Sequence, residues 1–385
     1  MDPESNRPLE GIVIADLTHV LAGPFASMTL ADLGARVIKI ERPGLGDDTR
    51  AFPPFKAGKS AYFATINHSK ESISLDLKSA PDRSVFEQII SRSDVILENY
   101  RPGVMERLGY GWEELHERHP RLIYGAVSGF GHSGPDALKP AYDMVVQARG
   151  GIMSITGERN REPVRVGASI GDLAAGMFLA QGILAALLHR EKTGRGQKVD
   201  VAMLDSQLAL LEHAISLTSV TGTPPRPSGA RHPSITPFET FHAEDTLFVI
   251  AAGNDALFQR LCNVLDLPLA DDARFATNPE RCKNARLLKR LIEAVTIDKP
   301  ASYWIEKLTR EGIPTGPIQN VKEVLEDPQI LARNMVVDVL DRDGKAAFVA
   351  AGNPIKMSEL ADPSDRPAAP LLDEDRAAIL EWLDH

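Results

Sequence analysis

Gly11-Ile12-Val13-Ile14-Ala15-Asp16-Leu17, then Pro24 to Leu33, then Arg36-Val37-Ile38-Lys39-Ile40-Glu41 decide the fold. The first and third runs are short, rich in β-branched residues and bounded by turn signals, which predicts buried strands. The middle run reads as a helix stopped by Gly34. A strand–helix–strand unit with connections this short implies parallel strands with the helix packed on one face.

The same unit recurs downstream. Ser72–Asp76, Asp94–Glu98, Leu122–Val127 and Lys198–Ala202 are predicted strands, alternating with helices over Asp82–Ser91, Gly111–Arg118 and Leu173–Arg190. The last helix stops at Lys192-Thr193-Gly194-Arg195-Gly196, a glycine stop. The first half is therefore expected to be a doubly wound α/β domain. The Pro- and Gly-rich stretch Gly222–Pro237 marks a change of organisation. Beyond it lie a hairpin (Phe238–Ala243 and Leu247–Ala252) and helices over Ala256–Leu265, Asn284–Val295 and Ala301–Glu311. We expect three parts: residues 1–222 as the first portion of a large α/β domain, 223–320 as a small α+β domain, and 321–385 as a tail returning to the large one.

At 385 residues the chain exceeds one ordinary core. Its net charge of -10 argues against a nucleic-acid binder, which needs a basic face. Two cysteines, Cys262 and Cys282, make no disulfide framework and no zinc pattern, pointing to a reducing, cytoplasmic setting. The opening Met-Asp-Pro-Glu-Ser-Asn is polar and reads as no leader. The run Leu173–Leu188 is short for a membrane span and contains Gln181, so a buried helix is expected.

Several segments carry polar chemistry. Gly129-Phe130-Gly131-His132-Ser133-Gly134 has dinucleotide spacing, but Pro135 and Pro140 follow where a helix should begin, so a glycine-rich turn is the better reading. The connection Thr18–Pro24 and the strand end Glu41-Arg42 stand where open α/β sheets bind nucleotides. The glycine triplet of an NAD site is missing there, and Arg42 suits a phosphorylated ribose. His19 as a packing residue and Arg42 as a solvated charge remain the alternatives. Lys78, Arg101 and Arg107 follow predicted strands and, with Arg42, could line an anionic pocket. His116 and His119 lie one helical turn apart with no third ligand evident, so no metal is expected. Asp172 opens the longest apolar helix. It is either a cap or a carboxylate that the positive helix end keeps anionic for attack.

Taken together, Leu9-Glu10-Gly11, Asp16-Leu17-Thr18-His19, Ala22-Gly23-Pro24, Leu33 to Glu41, Glu98-Asn99-Tyr100-Arg101-Pro102-Gly103, Gly171-Asp172 and Lys192 to Gln197 resemble the family III coenzyme A transferases, over Pro8 to about Leu372. Gly46 to Arg50, Ser128 to His132, Pro163 to Gly167 and Gly352 to Lys356 are most like members that use oxalate. The resemblance implies a Rossmann-like large domain, its parallel sheet built from both chain ends, a smaller α+β domain, and an interlocked homodimer. It makes Asp172 the nucleophile. It assigns His19, Ala22, Arg42, Leu75, Lys78, Asn99, Tyr100, Arg101 and Arg107 to coenzyme A contact, and Tyr142 and Asp143 to a tyrosine–acid pair beside the active site. Ser228-Gly229-Ala230-Arg231-His232 stands where relatives have a glycine lid, making Gly229 and Arg231 acceptor contacts.

The implied activity moves coenzyme A from a short acyl-CoA, such as acetyl-CoA, to a small acid such as oxalate, through an aspartyl anhydride and an enzyme–CoA thioester. Backbone N–H groups at Leu173-Ala174 are the expected oxyanion donors. No tightly bound cofactor, metal, nucleic acid or membrane is required. Two other readings stay open: an acyl-CoA racemase with Asp172 as base, and a non-catalytic acyl-CoA binder. The racemases have a histidine where this chain has Tyr142.

Overall fold

A computed structural model describes residues 7–385. The opening six residues, read above as no leader, lie outside the described residues. The chain divides into two compact units. Unit 1 comprises Met1–Ile152, Val166–Glu212 and Pro328–His385; unit 2 comprises Met153–Arg165 and His213–Asp327. The turn Met153–Arg165, expected within the first domain, thus groups with unit 2.

Unit 1 is built on six parallel strands in the order Lys70–Ser74, Arg36–Glu41, Val13–Asp16, Val95–Glu98, Ile123–Ser128 and Lys198–Ala202. Successive side chains on a strand point to opposite faces, and the two cores follow that rule. Ile14, Val37, Val95, Leu97 and Ile123 pack with helices Ala22–Asp32 and Ile170–Thr193 on one face. Ala15, Ile38, Ile40, Ile73, Ile96 and Tyr124 pack with helices Ala80–Ser91 and Trp112–Arg118 on the other. Ile170–Thr193 is long and apolar enough to cross a membrane, yet Ala175, Leu179, Ile183 and Ala186 on it are buried in the first of these cores.

The sheet is not built from both chain ends, as the resemblance implied: every strand of it lies before residue 203. The C-terminal strands Val336–Leu340 and Ala346–Ala351 pair with each other instead, with Asp365–Arg366 beside them. The reason is local. A tight turn, with Asp341 N–H donated to the Lys345 carbonyl and Gly344 at φ +75°, closes a hairpin before either strand reaches the sheet. The C-terminus is nonetheless fixed to unit 1. Asp375 and Asp373 accept the backbone N–H groups of Ser72 and Ser74, and Ile379 and Leu383 join the second core.

Unit 2 carries a three-stranded antiparallel sheet, Thr315–Pro317 beside Leu247–Ala251 beside Phe238–His242. Helices Asp255–Leu265, Ala285–Thr296 and Ala301–Arg310 bury Phe258, Leu261, Leu288, Ile292 and Trp304 in its core.

Candidate active site

In the six-stranded sheet the order of strands reverses between the parallel neighbours Val13–Asp16 and Val95–Glu98, which are far apart in sequence. Ligands of open α/β sheets bind outside the carboxyl ends of the strands at such a point. The segments leaving these two strands meet there. The Asn99 side chain accepts the His19 N–H (2.9 Å) and donates to the His19 carbonyl (2.7 Å), and the Tyr100 ring lies 5.4 Å from the His19 imidazole. A cavity of about 220 Å³ opens beside them, lined by Thr18, His19, Arg42, Asp47, Asp48 and Tyr100 among others. Half-buried His19 belongs to its wall, and Arg42 at its edge pairs with exposed Asp48 at 2.6 Å.

The loop is held by buried charges. Lys39, in mid-strand, donates to the Thr18 carbonyl (2.8 Å) and pairs with Asp47 at 3.0 Å. Asp47 accepts from the Val20 and Thr49 N–H groups. Lys70 pairs with Asp16 at 3.2 Å beneath the same loop. Burial alone would raise the Asp47 carboxyl, but the Lys39 ammonium and these donors hold it down at about 2. A lysine inside a parallel strand costs desolvation unless paired; here the paired charges fix the loop backbone.

Asp172 lies in the first turn of Ile170–Thr193. Gly176, one turn later on the same face, lets that helix touch the loop: a Cβ there would sit 2.6 Å from the Ala22 carbonyl oxygen. Asp172 thus starts the helix face that approaches Ala22. Ser169 and Leu173, which flank it, line a mainly apolar cavity of about 740 Å³ with Leu21, Phe25 and Tyr62. The connection thus faces two cavities, with His19 lining the polar one and Leu21 the apolar one.

Asp172 is half-buried and not sealed in. Its carboxyl is pushed up from 3.8 to about 7, by burial first and then by the neighbouring charge of Asp143. The expectation that the helix end keeps it fully anionic is therefore corrected: desolvation and a second carboxylate outweigh the helix dipole. Asp143 begins helix Asp143–Arg149 and is itself held in place, accepting from Gly171 N–H (2.8 Å) and Gln147 Nε2 (2.7 Å). Tyr62, in the apolar cavity wall, is raised by burial and then by Asp172 and Asp47. A second expectation also changes. The Leu173 N–H donates to the Ser169 carbonyl at 3.0 Å and is no free oxyanion donor.

These features fit a nucleotide-tailed ligand with a reactive end near Asp172. The model of CoA-transferase family III matches residues 9–376. The chain belongs to CoA-transferase family III. It is 47% identical to an acetyl-CoA:oxalate CoA-transferase of Acetobacter aceti, covering 97% of this chain and 95% of that protein. It is 37% identical to a human succinyl-CoA:glutarate CoA-transferase, covering 99% and 87%. A crystal structure of a CAIB/BAIF family protein from Brucella suis superposes with a TM-score of 0.87 at 37% identity, covering 99% of this chain and all of the other (100%).

The transferase places the remaining expected residues variously. Ala22 is buried at the start of its helix, and Leu75 is buried with its N–H on the Glu41 carbonyl. Lys78, Arg101 and Arg107 are exposed and lie outside the lining of the polar cavity. Tyr142 is 79% exposed, unlike its neighbour Asp143. Gly229 and Arg231 belong to unit 2, where Gly229 (φ +67°) donates to the Gly157 carbonyl at 3.0 Å. His116 stacks on Trp112 with ring centroids 4.3 Å apart.

Sequence reasoning missed Tyr62 and Gln147, whose importance arises only from tertiary contacts. Lys39 carried a signal, as a charge in the middle of an otherwise apolar strand.

Proposed function

We infer that the transferase moves coenzyme A from a short acyl-CoA to a small carboxylic acid of the oxalate or dicarboxylate class, with Asp172 as covalent carrier. The reading is carried by a half-buried carboxyl at the start of the long helix, on the face where Gly176 meets the Ala22 carbonyl and between Ser169 and Leu173 of the apolar cavity wall; burial and Asp143 raise it to about 7. A desolvated carboxylate is more nucleophilic than a hydrated one, and covalent catalysis divides one difficult exchange into easier acyl transfers.

The electron balance is simple. The Asp172 carboxylate attacks the thioester carbonyl, the C–S bond breaks, and coenzyme A leaves as thiolate from a mixed anhydride. The thiolate attacks the aspartyl carbonyl, releasing the donor acid and leaving an Asp172–CoA thioester. The acceptor carboxylate attacks that thioester and expels the thiolate. The thiolate then attacks the acceptor's carbonyl and frees Asp172. No proton is gained or lost overall. The polar cavity holds part of the nucleotide, with Arg42 on a phosphate and His19 and Tyr100 beside it; exposed Lys78, Arg101 and Arg107, outside that lining, meet phosphates that project from it, and Ala22, Leu75 and Asn99 act through the backbone they fix. The pantetheine arm passes the His19–Ala22 loop. Burial, and after it the charge of Asp143, set the ionisation of Asp172, with Tyr142 preceding Asp143 at the start of its helix.

Gly229 and Arg231 contact the acceptor, and the working form is an interlocked homodimer. Exposed Met177, Phe178 and Leu188 on the long helix, with Leu208 and Leu210, support a covered surface.

A carboxyl near 7 is also a competent general base, which favours acyl-CoA racemisation as the second reading. The deciding experiment incubates the protein in D2O with acetyl-CoA and oxalate, then with a chiral 2-methylacyl-CoA. Oxalyl-CoA formation without α-deuterium incorporation supports transfer. Deuterium wash-in without CoA exchange refutes it.

A further inference from the structure

Unit 2 contains a cavity of about 640 Å³ whose wall carries Arg159, Arg231, Lys283, Arg286, Arg290 and Cys282. Five cations share one concavity in a protein whose net charge is -10. Of the five, Lys283 has an acidic partner in Glu280, as Arg274 has Asp272, Arg281 has Asp255 and Arg310 has Glu306 elsewhere in this unit. Among the described residues, the guanidinium groups of Arg159, Arg231, Arg286 and Arg290 have no ion pair or hydrogen bond. The one carboxylate in the lining, Glu239, is engaged by Lys289 at 3.1 Å.

The four free guanidinium groups come from two supports. Arg286 and Arg290 stand one turn apart on helix Ala285–Thr296, a like-charge spacing that opposes helix stability. Arg159 and Arg231 come from two turns tied together: Gly229 N–H donates to the Gly157 carbonyl, and Ser228 Oγ donates to the Arg231 carbonyl at 2.7 Å. Each support thus presents a pair of planar forks, and planar forks suit carboxylates. Arg159, Arg286 and Arg290 are exposed and partly screened by water, and an anion seated among the four would relieve the repulsion that remains. Two pairs match a ligand with two carboxylates better than one with a single charge centre.

We propose that this cavity is a dicarboxylate-binding site, and that Arg159, Arg286 and Arg290 act with Arg231 to select the acceptor acid. The assignment to the acceptor rests on the transfer reaction inferred above; the binding site itself does not.

Calorimetric titration of the full-length protein with glutarate, oxalate and inorganic phosphate, without coenzyme A, tests it. Glutarate or oxalate should bind, and Arg286→Ala/Arg290→Ala should weaken that binding by about tenfold or more. Arg286→Lys/Arg290→Lys, which keeps charge and loses the forks, should fall between. Circular dichroism identifies any variant that fails to fold, and the lysine pair then carries the comparison. In steady state the acceptor KM should rise while the rate of adduct formation at Asp172 from acyl-CoA alone stays unchanged. Dicarboxylate affinity equal in wild type and both double variants overturns the proposal, as does phosphate binding as tight as either acid. Absence of the Asp172 adduct would count against the transfer mechanism and leave the binding result standing.

Discussion

Asp172→Asn should make the protein more stable, by an amount that depends on pH. The fold raises this carboxyl from 3.8 to about 7, so the folded state binds its proton more tightly than the unfolded chain does. Below pH 4 the acid is neutral in both states and contributes nothing. Between pH 4 and 7 the unfolded chain ionises first, and stability is lost as pH rises; above pH 7 the full cost is present. A gap of about three decades in proton affinity corresponds to about 4 kcal/mol as an upper bound. Water reaches this half-buried group and screens it, so about 1–2 kcal/mol is the expected gain for the neutral amide at pH 8. That is a rise in Tm of about 2–8 °C for a unit of this size. Differential scanning calorimetry of wild type and Asp172→Asn at pH 4, 6 and 8 measures it. A gain that grows with pH fits; equal Tm values at pH 8, or a gain largest at pH 4, refute the argued environment of Asp172.

Further expectations concern the same site. The rate of the first half-reaction should rise with pH through about 7 in free enzyme, because the attacking form is the anion. Asp143→Asn, measured by the same pH profile, should move that limb to lower pH by removing the neighbouring charge, while weakening the Gly171 and Gln147 contacts. Arg42→Ala should raise the KM for acyl-CoA by about tenfold with kcat little changed, reflecting one lost charged contact to phosphate; steady-state kinetics at two salt concentrations checks it. Asp47→Ala should destabilise unit 1 by about 3 kcal/mol, since it strips buried Lys39 of its ion-pair partner. Urea unfolding reads the loss.

Much of this architecture was legible because its signals are local. Arg36–Glu41 and Lys198–Ala202 have the observed bounds in both sequence and structure, each with a glycine two residues upstream and rich in β-branched residues. Helices Ala61–Asn67 and Asp143–Arg149 were not legible: each is about two turns long, and Pro53, Pro54 and Pro140 upstream mask the pattern. The pairing of the tail strands with each other was not legible, because partner choice depends on turn geometry as well as on the hydrophobic pattern. Asp172 could be picked out by its place before a long apolar helix. Its ionisation could not, because burial and Asp143 act through contacts that span 29 positions, from the carboxylate at 143 to the helix turn at 172. Likewise the helix start suggested free N–H donors, while the Ser169 carbonyl already occupies that of Leu173.

The central claim is that one side chain carries the activated group. Intact-mass spectrometry after rapid acid quench, following incubation with acetyl-CoA or oxalyl-CoA and repeated with hydroxylamine, examines it directly. The account predicts a hydroxylamine-labile adduct that maps to Asp172 and is missing in Asp172→Ala. Full CoA exchange by Asp172→Ala, with no adduct on the wild-type chain, would contradict it.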